Sequence, residues 1–227
     1  MKFNITELHE RFLLLADAEN AKGAEAYMKN QFKFFGIYTT ERRKISNDYI
    51  KEVGVLSANE LDKTVKALWK MPNREFQYVA MELIAFHKKY WTEDIIELTE
   101  FCIINKSWWD TVDNIASLIL ANYFKLFPHQ IKPVTNKWNK SNDFWLQRSS
   151  IMFQKTCKKN TDTDLLSKYI LNCNHSKEFF IQKAIGWALR EYSKTNPAWV
   201  TEFVANNQLA PLSKREALRI MSKSNDH

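Results

Sequence analysis

The chain has 227 residues, 45% of them hydrophobic, which is enough to bury a core. Only 4 Gly and 5 Pro occur, so turn-dense all-β folds and low-complexity disorder are disfavoured and helices become the default. The net charge of +7 is lopsided: residues 1–127 carry 17 basic and 18 acidic groups, residues 128–227 carry 16 and 8. Such a basic half suits a polyanionic partner, nucleic acid or an acidic membrane surface, with a solvated Lys-rich face as the plain alternative.

In chain order, segments 4–16 and 21–34 read as helices. Polar caps then precede apolar-periodic stretches at Thr40, Ser57 (with Glu60, a capping box), Asn73, Thr92, Ser107, Ser141, Ser176, Asn196 and Ser213. Each opens a helix of roughly 10 to 18 residues. Pro72, Pro128 and Pro197 sit where helices stop or start, and no alternating β-branched segment competes.

The caps at Asn73, Ser107, Ser141, Ser176 and Ser213 are 34, 34, 35 and 37 residues apart, each interval holding two helices. Helix pairs at this period cannot bury their apolar faces alone and stack into an α-solenoid, for which HEAT-like repeats are the nearest class. The expected fold is therefore all-α, a single α-solenoid domain over residues 1–227 with a concave basic surface. One polar position repeats more tightly: Tyr78, Asp113, Arg148 and Lys183 are each 35 residues apart. Seven residues after Arg148 and Lys183 come Lys155 and Arg190, nearly two turns on and on the same faces. The expected result is a basic stripe holding one carboxylate.

Other chemistry lacks its parts. Cys102, Cys157 and Cys173 are odd in number and without CxxC spacing, which argues against a disulfide framework or a zinc site and for a reducing compartment. His9, His87, His129, His175 and His227 make no paired ligand spacing, so neither metal nor cofactor is expected. Gly23, Gly36, Gly54 and Gly186 form no phosphate loop, and no Gly-x-Ser-x-Gly nucleophile occurs. The N-terminal apolar run, Phe12 to Ala16, is far short of a signal or membrane span, so a cytoplasmic protein is expected. What remains is Ser107 to Asp113, where Trp109 and Asp113 are four apart and share a helix face. Trp187 lies four residues after Lys183 and follows Gly186, whose missing side chain lets something approach the helix closely.

The segments Tyr27–Asn30, Ser107–Asp113, Trp145–Arg148, Ser176–Trp187, Leu189–Tyr192 and Pro211–Glu216 resemble the bacterial DNA alkylation repair glycosylases of the AlkD type. The resemblance covers nearly the whole chain and implies HEAT-like repeats that remove cationic alkylated bases, chiefly 3-methyladenine and 7-methylguanine, from duplex DNA. It implies a catalytic pocket of Trp109, Asp113 and Trp187, with Arg148 on the DNA backbone beside the lesion, and a DNA-probing helix carrying Tyr27. It also implies catalysis without flipping the base.

The residue chemistry agrees. An N-methylated purine cation already leaves as a neutral molecule, so no general acid is needed, and the developing oxocarbenium ion can be stabilised by one carboxylate and two indole faces. The expected DNA-binding set is Tyr27, Arg148, Lys155, Lys183 and Arg190, acting as a monomer on duplex DNA containing alkylated bases, with no membrane partner. The alternatives are a non-catalytic DNA-damage-binding solenoid and a peptide-binding helical scaffold, of which only the enzyme needs Asp113.

Overall fold

The first N–H groups of a helix need acceptors from outside it, and this chain supplies several from side chains. In the computed structural model, which describes residues 2–221, the regular elements are helical, with one isolated β-bridge between Lys33 and Asn73. No described helix is long and apolar enough to cross a membrane. His227 lies outside the described residues.

Packing divides the chain into two compact units between Leu98 and Thr99. In the first, α1 (Ile5–Leu13) is capped by Asn4 and α2 (Ala18–Tyr27) by Asp17, whose side chain accepts from Glu19 and Asn20 N–H. The helix expected over 21–34 thus starts earlier, at this cap. It also stops earlier, because Lys29 and Asn30 take φ of 57° and 56° and the Asn30 N–H turns back to Glu25 O. α3 (Thr39–Val53) has Tyr38 at its N-cap, two residues before the expected cap Thr40, and ends at Gly54. α4 (Ala58–Lys70) carries the full Ser57–Glu60 capping box. α5 (Arg74–Phe86) follows Asn73, as expected.

Phe12, Phe35 and Phe76 meet at ring-centroid distances of 5.6–5.7 Å in the core of this unit. The turn after Phe35 is pinned by the buried Glu75, whose Oε1 accepts the Phe35 and Gly36 N–H groups at 2.8 and 3.1 Å. Gly36 has φ of 81°, and a Cβ there would stand 2.1 Å from Asp17 O, so no other residue fits.

α6 (Ile95–Ile104) spans the boundary in sequence, and its end is closed by Ser107 Oγ donating to Ile103 O at 2.6 Å. Ser107 therefore finishes one helix rather than capping the next, for which Trp108 is the N-cap. α7 (Trp109–Asn114) runs through a π-helical segment, Ile115–Leu120, into α8 (Ala121–Leu126). Then come α9 (Ile131–Asn139), α10 (Phe144–Met152), α11 (Thr163–Cys173), α12 (Phe179–Ser193), α13 (Pro197–Asn206) and α14 (Pro211–Leu218). Asn196 caps α13 as expected, whereas Ser213 lies inside α14.

The internal repeat is visible atom by atom. Ser141 Oγ accepts the Asp143 N–H at 3.0 Å and Ser141 O accepts from Gln147 Nε2 at 2.8 Å. Thirty-five residues on, Ser176 Oγ accepts the Glu178 N–H at 3.2 Å and Ser176 O accepts from Gln182 Nε2 at 3.1 Å. α10 and α12 thus begin with the same turn and pack against each other, the pattern of an α-solenoid of helical repeats. Arg148 and Lys183 follow the two glutamines directly and occupy equivalent positions.

Candidate functional site

Because α7, α10 and α12 are successive repeats, their residues at one level converge. Asp113 on α7 and Arg148 on α10 form a two-bond ion pair, Nε to Oδ1 and Nη2 to Oδ2, each 2.7 Å. The Arg148 side chain is 1% exposed and its remaining terminal nitrogen donates to Phe180 O, so the guanidinium is fixed from two helices. Asp113 keeps 14% exposure, which leaves the carboxylate reachable from solvent.

Trp187 on α12 is the hub. Around its ring centroid stand Lys183 Nζ at 5.1 Å, Arg148 Cζ at 5.5 Å, Lys155 Nζ at 5.6 Å and Arg190 Cζ at 5.6 Å. Four cations thus surround one half-buried indole, a π face among positive groups, one of them already paired with Asp113. The Trp187 indole N–H is buried without a hydrogen-bond partner.

The expected residues Asp113, Arg148, Lys155, Trp187, Lys183 and Arg190 are therefore brought together. Trp109 stands at the first position of α7, half-buried and one turn before Asp113. Its neighbour Trp108 points elsewhere, its ring 5.2 Å from that of Phe180 and 6.1 Å from that of Trp145 in an aromatic cluster. Tyr27 ends α2 in the first unit and is 67% exposed.

Sequence reasoning missed Glu216. This residue of α14, with a side chain 9% exposed, accepts from Lys183 Nζ at 2.8 Å through Oε1 and from Arg190 Nη1 at 2.9 Å through Oε2. The basic stripe thus holds two carboxylates rather than one. The Lys183 hydrogen bond, reinforced by the charges of Lys183 and Arg190, holds the Glu216 carboxyl below its usual range. What approaches α12 at Gly186 is α14 itself: a Cβ there would lie 2.5 Å from Glu216 Cβ and 2.9 Å from Ser213 O. A glycine facing a distant acidic residue was the available signal, and it carried no direction.

The family model described as DNA alkylation repair enzyme matches residues 8–221. Among solved structures, the chain is similar to one described as a predicted DNA alkylation repair enzyme from Enterococcus faecalis, with 34% identity and a TM-score of 0.86 over 92% of this chain and 97% of that one. No curated protein matches the sequence significantly. On the family match across nearly its whole length, the chain belongs to the DNA alkylation repair enzyme family.

Proposed function

We propose that the chain is a DNA glycosylase that hydrolyses the N-glycosidic bond of cationic alkylated purines, 3-methyladenine and 7-methylguanine, in duplex DNA. The observation that carries this reading is the Asp113 carboxylate, oriented by Arg148 and left open to solvent at the edge of the site containing Trp187.

In such a reaction the glycosidic bond breaks with its electron pair going to the base, which neutralises the purine cation. The sugar takes up positive charge. Each Asp113 oxygen spends one lone pair on Arg148 and keeps another, directed at the oxocarbenium ion or at the attacking water. The faces of Trp109 and Trp187 stabilise the same cation. Water adds to the anomeric carbon and its proton is lost to the carboxylate or to solvent. No proton donor to the leaving group and no metal is required, which accounts for one acid where sugar hydrolases generally use two.

Lys155, Lys183 and Arg190 would take DNA phosphates, Tyr27 would probe the duplex, and the protein would act as a monomer. Arg148 would contact the backbone beside the lesion, a role for which its side chain, 1% exposed and committed to Asp113 and Phe180 O, must first be uncovered.

The test is incubation with methylated duplex DNA in the presence of EDTA, with released bases resolved by chromatography. Release of 3-methyladenine and 7-methylguanine, and none of uracil or hypoxanthine from matching duplexes, is the expected outcome. One feature favours a second reading, a non-catalytic damage-binding protein: the two-bond pairing with Arg148 neutralises Asp113 in the free protein and reduces its repulsion of phosphate. Tight binding without base release would establish that reading instead.

A further inference from the structure

Glu216 bonds two of the cations through separate oxygens. A carboxylate and a phosphodiester are both monoanions offering paired oxygen acceptors, and Lys and Arg bind both in the same way. Lys183 and Arg190 keep side-chain exposures of 20% and 23%, so they are open to an anion arriving from solvent. Glu216 reaches them from α14 at 2.8 and 2.9 Å.

This arrangement is built in by local packing. Lys183 and Arg190 flank Gly186 along α12, and Gly186 is where Glu216 Cβ and the Ser213 backbone press closest. Ser213, one turn before Glu216 on α14, locks the same contact by donating to Gln182 O at 2.8 Å. A third cation, Arg219 Nη1, stands 3.9 Å from Glu216 Oε2. The carboxyl is held ionised by the cations it touches.

We propose that Glu216 is an internal competitor for DNA phosphate at Lys183 and Arg190. The inference rests on the reading of those two residues as phosphate-binding, and adds to it a brake. In the free protein Glu216 keeps both cations beside the Trp187 ring and halves the charge that they present. When a duplex arrives, its phosphate either displaces Glu216 or shares the donors with it, and sharing brings two anions close together. Either route lowers affinity for every duplex, damaged or not, and so limits residence on DNA that carries no lesion.

The test is fluorescence anisotropy with an undamaged duplex across a salt series, comparing wild type with Glu216→Gln. The variant keeps the side-chain shape and loses the charge. It should bind about fivefold to tenfold more tightly at low salt, with a log–log salt slope steeper by up to about one unit. In a Lys183→Met, Arg190→Met background the same substitution should change affinity by less than about twofold. A folded Glu216→Gln protein that binds no more tightly than wild type overturns the proposal. Should Glu216→Gln fail to fold, Glu216→Asp retains the charge but is too short to bridge both cations; it should tighten binding by a smaller amount, and unchanged affinity in that variant counts equally against the brake. If wild type binds duplex and neither variant tightens it, only the competitor role falls. If neither wild type nor Glu216→Gln binds duplex, the phosphate-binding reading falls with it.

Discussion

Asp113 and Arg148 are joined by two 2.7 Å hydrogen bonds although 35 residues separate them. The fit is that of a planar guanidinium edge to a carboxylate, which lysine cannot reproduce. With Arg148 only 1% exposed, the pair is both an element of the repeat stack and the device that aims the acid. Removing one partner leaves the other uncompensated.

Asp113→Asn therefore has two separable consequences. Base release should slow by about 10² or more, the size of a typical lost electrostatic contribution to a transition state, while duplex affinity holds or improves. Stability should also drop, by as much as about 3–5 kcal/mol, because a buried guanidinium loses its counter-charge. The double variant Asp113→Asn, Arg148→Met should recover part of the melting temperature and none of the activity. Recovery of both would mean that the acid serves folding alone.

Trp187 is tested by size and face. Trp187→Ala should cost about 0.5–2 kcal/mol of transition-state stabilisation, up to roughly thirtyfold in single-turnover excision, and Trp187→Phe should retain part of it. Since the indole is half-buried and Lys155, Lys183 and Arg190 around it reach solvent, the melting temperature should move little. A rate loss that simply tracks unfolding would assign Trp187 to the core.

Much of this was legible because the repeat is written in polar residues at fixed spacing. The equivalence of Ser141 and Ser176, and of Arg148 and Lys183, follows from a 35-residue interval that the turn hydrogen bonds reproduce. Boundaries were less legible where a side chain has two possible uses. Ser107 satisfies a C-terminal carbonyl of α6 rather than an N-terminal N–H of α7, and the motif Ser–Trp–Trp–Asp fits either role. Glu216 was hidden for a different reason. In the stretch Lys214–Arg215–Glu216 it reads as one more solvated charge, and only the close approach of α14 at Gly186 turns it inward.

Lys155 separates the cations that are free to bind phosphate from those already engaged. It stands 5.6 Å from the Trp187 ring centre and makes no ion pair with a described carboxylate, unlike Lys183 and Arg190. Lys155→Ala should make the log–log salt dependence of duplex binding shallower by about one unit, from the release of counterions by each neutralised phosphate. Lys183→Met should shift the slope by less, since Glu216 already screens that charge. Equal slopes for wild type and Lys155→Ala would take Lys155 out of the interface.

Glu75 in the first unit should impose a pH dependence of its own. Its carboxyl is buried, with Oε1 bonded to the Phe35 and Gly36 N–H groups and Oε2 without a partner. Burial raises its pKa above the ordinary 4.5, against the lowering effect of those hydrogen bonds and of the Arg42 charge, which Glu82 engages at 2.9 and 3.0 Å. A group with a raised folded pKa binds its proton more tightly in the folded state, so its contribution is fully present below the unfolded pKa and is lost as pH rises through the folded one. Glu75→Gln keeps an acceptor for both N–H groups and cannot ionise. Thermal melts from about pH 4 to about pH 8 should show the variant gaining on wild type as pH rises, the gap opening above the ordinary carboxylate range. Glu75→Ala, which abandons the Phe35 and Gly36 N–H groups, should instead be destabilised at every pH by about 1–3 kcal/mol. Parallel curves for wild type and Glu75→Gln would mean that the folded protein already stabilises the charged carboxylate as well as water does.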